Sequence, residues 1–191
     1  MPKPLKFALV AAVLLLLGIS AQGTAATWRA EITVDPPSLR TGSLALLAGG
    51  ETEHQFANLS GSELIPGAFT QASLVISNAG TVDLSYQLDG AVNATTSPTA
   101  ADRALSNALQ LSIYSGMDRK ACDDDQPLSG EQLYTGSLGA SASFAAPRVL
   151  RAEPAMATET LCVRVSLPSG APEAASGGKM ALELGFAGQQ R

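Results

Sequence analysis

The chain is poor in the residues that most enzyme sites need. Its 191 residues include one histidine, two cysteines and one tryptophan. The lone histidine, His54, stands in Glu51-Thr-Glu-His-Gln55 with no second histidine and no H-E-x-x-H spacing, so a zinc site would lack ligands. A solvated loop or strand-end histidine is the simpler reading. No serine sits in a G-x-S-x-G elbow and no glycine-rich phosphate loop occurs, which leaves no catalytic residue and no cofactor to nominate. Charged residues make up only 15% of the chain, against roughly 25% in an average soluble domain. A basic excess is also missing: the net charge is −5, which argues against a nucleic-acid partner. No apolar run reaches the length of about 20 residues that crosses a bilayer, and no repeat of 20 to 50 residues is visible.

The amino terminus carries the clearest positive signal. Lys3 and Lys6 precede an apolar run over 7–19, and the small-residue stretch Ser20-Ala-Gln-Gly-Thr-Ala-Ala26 follows. A basic start, a short apolar centre and a small-residue end describe a secretory signal helix. Small side chains at Thr24 and Ala26 place the cut between Ala26 and Thr27, with Ala25 nearly as good a site. An uncleaved anchor is the alternative, and the run is short for one. The expected organisation is therefore a signal peptide at 1–26 and one domain at 27–191. A signal peptidase is a transient partner, the destination is extracellular or cell-surface, and no membrane anchor remains after cleavage. Without Lys3 and Lys6 the mature chain has ten basic against 17 acidic side chains, a charge of about −7 that favours solubility.

Beyond residue 27 the dominant pattern has period two, the mark of half-buried strands. Leu74 and Ile76, then Val82, Leu84, Tyr86 and Leu88, alternate with mostly polar neighbours, interrupted by a turn at Ser77-Asn-Ala-Gly80. The same alternation runs through Leu109, Leu111 and Ile113, through Leu161, Val163, Val165 and Leu167, and through Met180, Leu182, Leu184 and Phe186. Shorter stretches lie at 28–34, 43–47 and 133–135. Ser97-Pro98 predicts a helix start leading into 99–106. The Pro, Gly and Ser cluster from Pro168 to Gly178 predicts a flexible loop. Seven to nine short strands joined this way predict an all-β, antiparallel sandwich or jelly roll in preference to a closed barrel.

Cys122 and Cys162 are an even count without C-x-x-C spacing, and an exported chain meets oxidising conditions, so a disulfide is expected. Two free thiols are the alternative. Alternation puts Cys162 on the polar face of its strand beside Arg164, so the bridge would clamp the acidic loop around Cys122 over the outside of a sheet. That loop, Asp123-Asp124-Asp125 with Asp118 nearby, could offer calcium its carboxylates. It lacks the EF-hand spacing, and Arg119 and Lys120 partly neutralise it, so a hydrated surface loop is the simpler reading. Asn58-Leu-Ser60 and Asn93-Ala-Thr95 are sequons, with meaning only in a glycosylating host.

Three phrases carry a family resemblance: Gly23-Thr-Ala-Ala-Thr-Trp28 across the cut, Leu39-Arg-Thr-Gly-Ser-Leu-Ala-Leu46, and Leu64-Ile-Pro-Gly-Ala-Phe69 followed by Ser73-Leu-Val-Ile-Ser-Asn-Ala-Gly-Thr81. Leu133-Tyr-Thr-Gly136 and Leu161-Cys-Val-Arg-Val165 add to it. Together they resemble the TasA/camelysin-like exported matrix proteins, which are processed by a SipW-type signal peptidase. Ala25 departs from the aromatic expected there, and Ala30 from the usual aspartate, with Glu31 nearby as a substitute. The resemblance implies a jelly-roll sandwich and a structural, biofilm-type role at the cell surface. It also implies assembly, with a second copy or a matrix component as partner, through the mature amino-terminal strand. Trp28 and Ile32, four apart and so on one face of a strand, would be its anchoring side chains; the equal alternative is that this strand pairs within its own domain, with Trp28 in the core. The alternative is a monomeric secreted binding module, an adhesin or carrier whose loops hold a ligand.

Overall fold

The computed structural model describes residues 43–50 and 64–191. The signal peptide, the cut at Ala26 and Thr27, the strand bearing Trp28 and Ile32, His54 and Asn58 lie outside the described residues.

Period-two segments become strands wherever the apolar row finds an opposite layer. In chain order the elements are β1 (Leu46–Ala48), β2 (Phe69–Asn78), β3 (Leu84–Asn93), helix α1 (Ala100–Ala108), β4 (Gln110–Ser115), short helix α2 (Arg119–Asp123), β5 (Glu131–Ser137), β6 (Arg148–Leu150), β7 (Thr158–Ser166) and β8 (Leu182–Gln190). Single 3-10 turns occupy Pro154–Met156 and Glu173–Ala175. The strands form a five-stranded sheet in the order β1-β2-β7-β4-β5 and a three-stranded sheet in the order β6-β3-β8. Every strand pair is antiparallel.

One continuous core lies between the sheets. Ala72, Leu74 and Ile76 of β2, Leu161, Val163 and Val165 of β7, and Leu111 and Ile113 of β4 line the larger sheet's inner face. Leu84, Tyr86 and Leu88 of β3 and Leu150 of β6 oppose them. The Tyr86 ring meets Phe144 and Phe186 edge-on, with centroids 6.1 Å away in both cases, the arrangement aromatic quadrupoles prefer. The all-β sandwich expected from alternation is therefore the fold.

The turn expected at Ser77–Gly80 carries the chain from one sheet to the other. Asn78 ends β2, and its buried side chain makes the crossing: Nδ2 donates to the carbonyls of Val82 (2.8 Å) and Leu150 (3.4 Å), and Oδ1 accepts from Gly80 N–H (2.9 Å). Gly80 is tightly confined, because a Cβ there would lie 2.3 Å from the Ser43 carbonyl oxygen. Gly80→Ala is expected to lower stability by about 1–3 kcal/mol through overpacking against backbone, read as a shift in denaturant midpoint. An unchanged midpoint would mean that the backbone at Ser43 yields freely.

Two local expectations need correction. The helix at 99–106 forms as α1, but its cap is Thr99 and not Ser97, which takes a left-handed φ of 57° one residue before the proline. Thr99 wins because Asp102 stands three residues on: Thr99 Oγ1 accepts from Asp102 N–H and Asp102 Oδ2 accepts from Thr99 N–H, a reciprocal capping box. The segment 168–178, expected as a flexible loop, is mostly exposed but packs at its carboxyl-terminal part. Ala175 is buried, and a Cβ on Gly178 would lie 2.6 Å from the Ala101 carbonyl, so this segment is seated against α1. Strand β6 has no counterpart in the alternation, since three residues are too few to show a period. Pairing with β3 places it.

Candidate functional site

The two cysteines form the expected bridge. Cys122 lies in α2 and Cys162 in β7, joined by an S–S bond with Cα atoms 5.7 Å apart. Both are buried although Cys162 points to the outer face of its sheet, because α2 lies over that face. Gln71 of β2, also buried there, donates from Nε2 to the carbonyls of Cys122 (2.7 Å) and Gln126 (3.0 Å). Its Oε1 accepts from Arg164 Nε at 2.7 Å. The Arg164 guanidinium lies 3.9 Å over the Phe69 ring and donates to the Gln126 carbonyl. Burial pulls the Arg164 pKa below its ordinary value.

Two carboxylates of the acidic loop, those of Asp118 and Asp123, serve this clamp. Asp118 caps α2, accepting from Ala121 N–H at 3.1 Å. Asp123 accepts from Ser73 N–H (2.8 Å) and from the Ser73 hydroxyl (3.1 Å). Asp124 pairs with Lys120, whose pKa that hydrogen bond raises. Asp125 occupies a left-handed turn. Among the described residues no group of three His, Cys, Asp or Glu side chains is placed to hold a metal. Asn93 is similarly committed: its Nδ2 donates to Ser106 Oγ, and its Oδ1 accepts from Thr95 N–H, Thr95 Oγ1 and Ala181 N–H.

At one end of the sandwich an ionic bolt joins the two sheets. Arg148 of β6 donates from Nη2 to Glu159 Oε1 of β7 (2.6 Å) and from Nη1 to Glu131 Oε2 of β5 (2.8 Å). The Tyr86 hydroxyl donates to Glu159 Oε2 at 2.6 Å. The bond to Glu159 raises the Arg148 pKa, while burial, then its own hydrogen bond to Glu159, raises that of Tyr86. Beside the bolt lies an open depression of about 620 Å³, bordered by Ser115, Met117 and Asp118.

A second cavity, of about 970 Å³, is bordered by Leu64, Thr70, Leu105, Leu109, Leu167 and Met180. Asp102 holds its rim: Oδ1 accepts from Lys179 N–H at 2.6 Å while Oδ2 completes the capping box. Those bonds, that from Lys179 first, hold the Asp102 pKa below its ordinary carboxylate value. A depressed folded pKa makes the tie fully present above the ordinary carboxylate value, about 3.9, and lost as pH falls through the lower folded value. Hydrogen exchange should therefore show Lys179 N–H losing protection on acidification only below about pH 4, with Asp102→Ala, which removes the acceptor, losing it already at neutrality. Equal protection in the variant at neutral pH would show that the carboxylate does not hold the rim.

Among the described residues the flank beside β8 is only partly covered. Leu182, Leu184 and Phe186 of β8 and Leu46 and Ala48 of β1 pack against the core yet remain half-buried. Leu46 reaches within 3.4 Å of a Cβ position on Gly188, so β1 and β8 border the same side of the sandwich. Among the described residues β8 pairs only with β3, which leaves its other edge without a strand.

Of the residues singled out in the sequence, the structure brings Cys122 and Cys162 together and gives Asp118 and Asp123 to the clamp. Sequence reasoning missed the Arg148–Glu159–Tyr86 bolt. One signal was available: Glu159 precedes Leu161 by two and so occupies an inward position of its strand, where a charge needs a partner. Among the described residues no helix is long and apolar enough to cross a membrane. No protein-family model matches the chain, and no curated protein matches it.

Proposed function

We propose that this is a secreted, non-enzymatic structural protein of the cell surface or extracellular matrix, built on a jelly-roll sandwich in the TasA/camelysin-like manner. Its subunits join through the mature amino-terminal strand, 27–34. The observation that carries this reading is the mismatch between the sheets. Three strands face five, and β8 offers a row of half-buried apolar side chains beside an edge without a strand among the described residues. An extended segment added there gains main-chain hydrogen bonds and covers Leu182, Leu184 and Phe186. Trp28 and Ile32 share one face of such a segment and supply its anchors. The disulfide agrees with export into an oxidising compartment.

The test uses the full chain in a secreting host. Amino-terminal sequencing of the product should begin at Thr27. Negative-stain microscopy and light scattering over days should show fibres or an oligomer ladder, abolished by deleting 27–34. A monomer unchanged by time and concentration would overturn the assembly. Azocasein hydrolysis sensitive to a chelator would overturn the non-enzymatic reading.

The cavity near α1 favours a second reading, a monomeric binding module, because its volume and apolar border suit a small hydrophobic ligand. A protein that stays monomeric and enhances the fluorescence of an aminonaphthalene probe, with Leu109→Trp suppressing the enhancement, would support that reading over the first.

A further inference from the structure

Between β7 and β8 the chain runs as a strap over 168–180, along the border of the cavity beside α1. Its two ends are fixed. Leu167 exchanges backbone bonds with Gly67 and Ala68, while Ala181 N–H donates to Asn93 Oδ1 and the Ala181 carbonyl accepts from Ala94 N–H. Between these anchors the backbone bonds of the strap are internal. Ala171 N–H donates to the Pro168 carbonyl, Ala175 to Pro172, Ser176 to Glu173 and Gly178 to Ala175. Among the described residues a single hydrogen bond ties 168–180 to the rest of the fold, the 2.6 Å bond from Lys179 N–H to Asp102 Oδ1.

The seat beneath the strap is small. Ala175 is its one buried side chain, Ala171 and Met180 are half-buried against the core, and Ser169, Pro172, Glu173, Ser176 and Lys179 are exposed. Few buried apolar contacts and backbone bonds that close only on themselves are the marks of a segment that opens by itself, at less cost than global unfolding. Asp102 is the opposite. It is 6% exposed, and its other oxygen is bound into the cap of α1, so the group that holds the strap sits on a fixed element.

We infer that 168–180 swings off the sandwich as a unit and uncovers the cavity, with Asp102 as its latch. Leu105, Leu109 and Leu167 border the cavity from the sandwich, and Ala171, Ala175 and Met180 border it from the strap, so lifting the strap removes one wall. The opening rests on contacts within this chain. That a small apolar molecule enters through it rests on the binding-module reading, and the test separates the two.

Trypsin reads the opening in the full exported chain, because cleavage after Lys179 tracks the population of the open form. Asp102→Ala removes the latch and should raise cleavage there about tenfold, the loss of a charge-assisted bond, relative to cleavage after Arg151 in the turn beyond β6. Gly178→Ala leaves the latch and the cap alone, but its Cβ would stand 2.6 Å from the Ala101 carbonyl oxygen and 2.9 Å from Leu105 Cβ, so it should prise the strap off α1 and raise the same cleavage. Thr99→Ala weakens the cap and keeps Asp102 Oδ1 in place, and it should stay within about twofold of the parent. Unchanged cleavage after Lys179 in Asp102→Ala and Gly178→Ala would overturn the inference. So would a rise matched at Arg151, which is global unfolding, or an equal rise in Thr99→Ala, which would assign the effect to the cap. The aminonaphthalene probe then reads the cavity, and its fluorescence should rise about tenfold faster in the two opened variants. Equal rates despite faster cleavage would overturn the strap as the cover of the cavity. Accelerated cleavage with no enhancement in the parent or the variants would overturn the binding-module reading and leave the latched strap supported.

Discussion

Replacing Cys122 and Cys162 by alanine is expected to lower unfolding stability by roughly 4 kcal/mol, the denatured-state entropy released when a loop of this length opens. The separation is 40 residues, so the bridge restrains a large share of the chain between β4 and β7. Both sulfurs sit in a small cluster with Met117, apart from the main core, so the apolar neighbours they leave behind are few. For a domain of this size the melting temperature should fall by on the order of 10 °C. Most of the loss should appear with the bridge removed in either order, because one cysteine alone closes nothing. A fall of only a degree or two would mean that Gln71, Asp123 and Arg164 hold α2 in place without the covalent link.

The second large effect is expected at the ionic bolt. Arg148→Met should cost about 3 kcal/mol, because it strands the Glu159 carboxylate between the sheets with the Tyr86 hydroxyl as its remaining donor. Glu159 is only 16% exposed and Arg148 27%, so water can relieve part of the unpaired charge and the effect falls at the lower end of the range for buried pairs. Glu131, at 63% exposed, contributes little, and Glu131→Gln should change stability by less than about 1 kcal/mol. Adding Glu159→Gln to Arg148→Met should recover much of the loss, since it removes the stranded charge and leaves an acceptor for Tyr86. Urea titration at constant slope checks all three variants. A single-variant loss below about 1 kcal/mol would mean that the pair is solvated in solution.

These two features differ in how far they could be read from the chain. The disulfide was legible because its warrant is chemical: a leader patterned like an export signal, an even count and no competing spacing. The bolt was not, because its members come from β3, β5, β6 and β7 and no spacing connects them. Only the parity of Glu159 hinted at it. The contact between α2 and β2 sits between these cases. The charge-free composition of β2 and the acidity of the loop after Cys122 were both visible, but their meeting was not. Nothing local brings Asp123 to Ser73, fifty residues earlier.

Alternation with period two was enough to make this an antiparallel sandwich, since an apolar row on every second residue is stable only when another layer covers it. The order of strands needed the tertiary structure. Pairing between strands is non-local, and alternation is blind to which neighbour a strand chooses. The same limit explains Thr99 prevailing over Ser97 as a helix cap, and the packing of 168–178 against α1, where Asp102 accepts from a backbone N–H 77 residues away. It explains, too, why the flank beside β8 emerges only in three dimensions. Leu182, Leu184 and Phe186 read as ordinary inward residues, and only the packing of the two sheets, three strands over five among the described residues, leaves them half-covered.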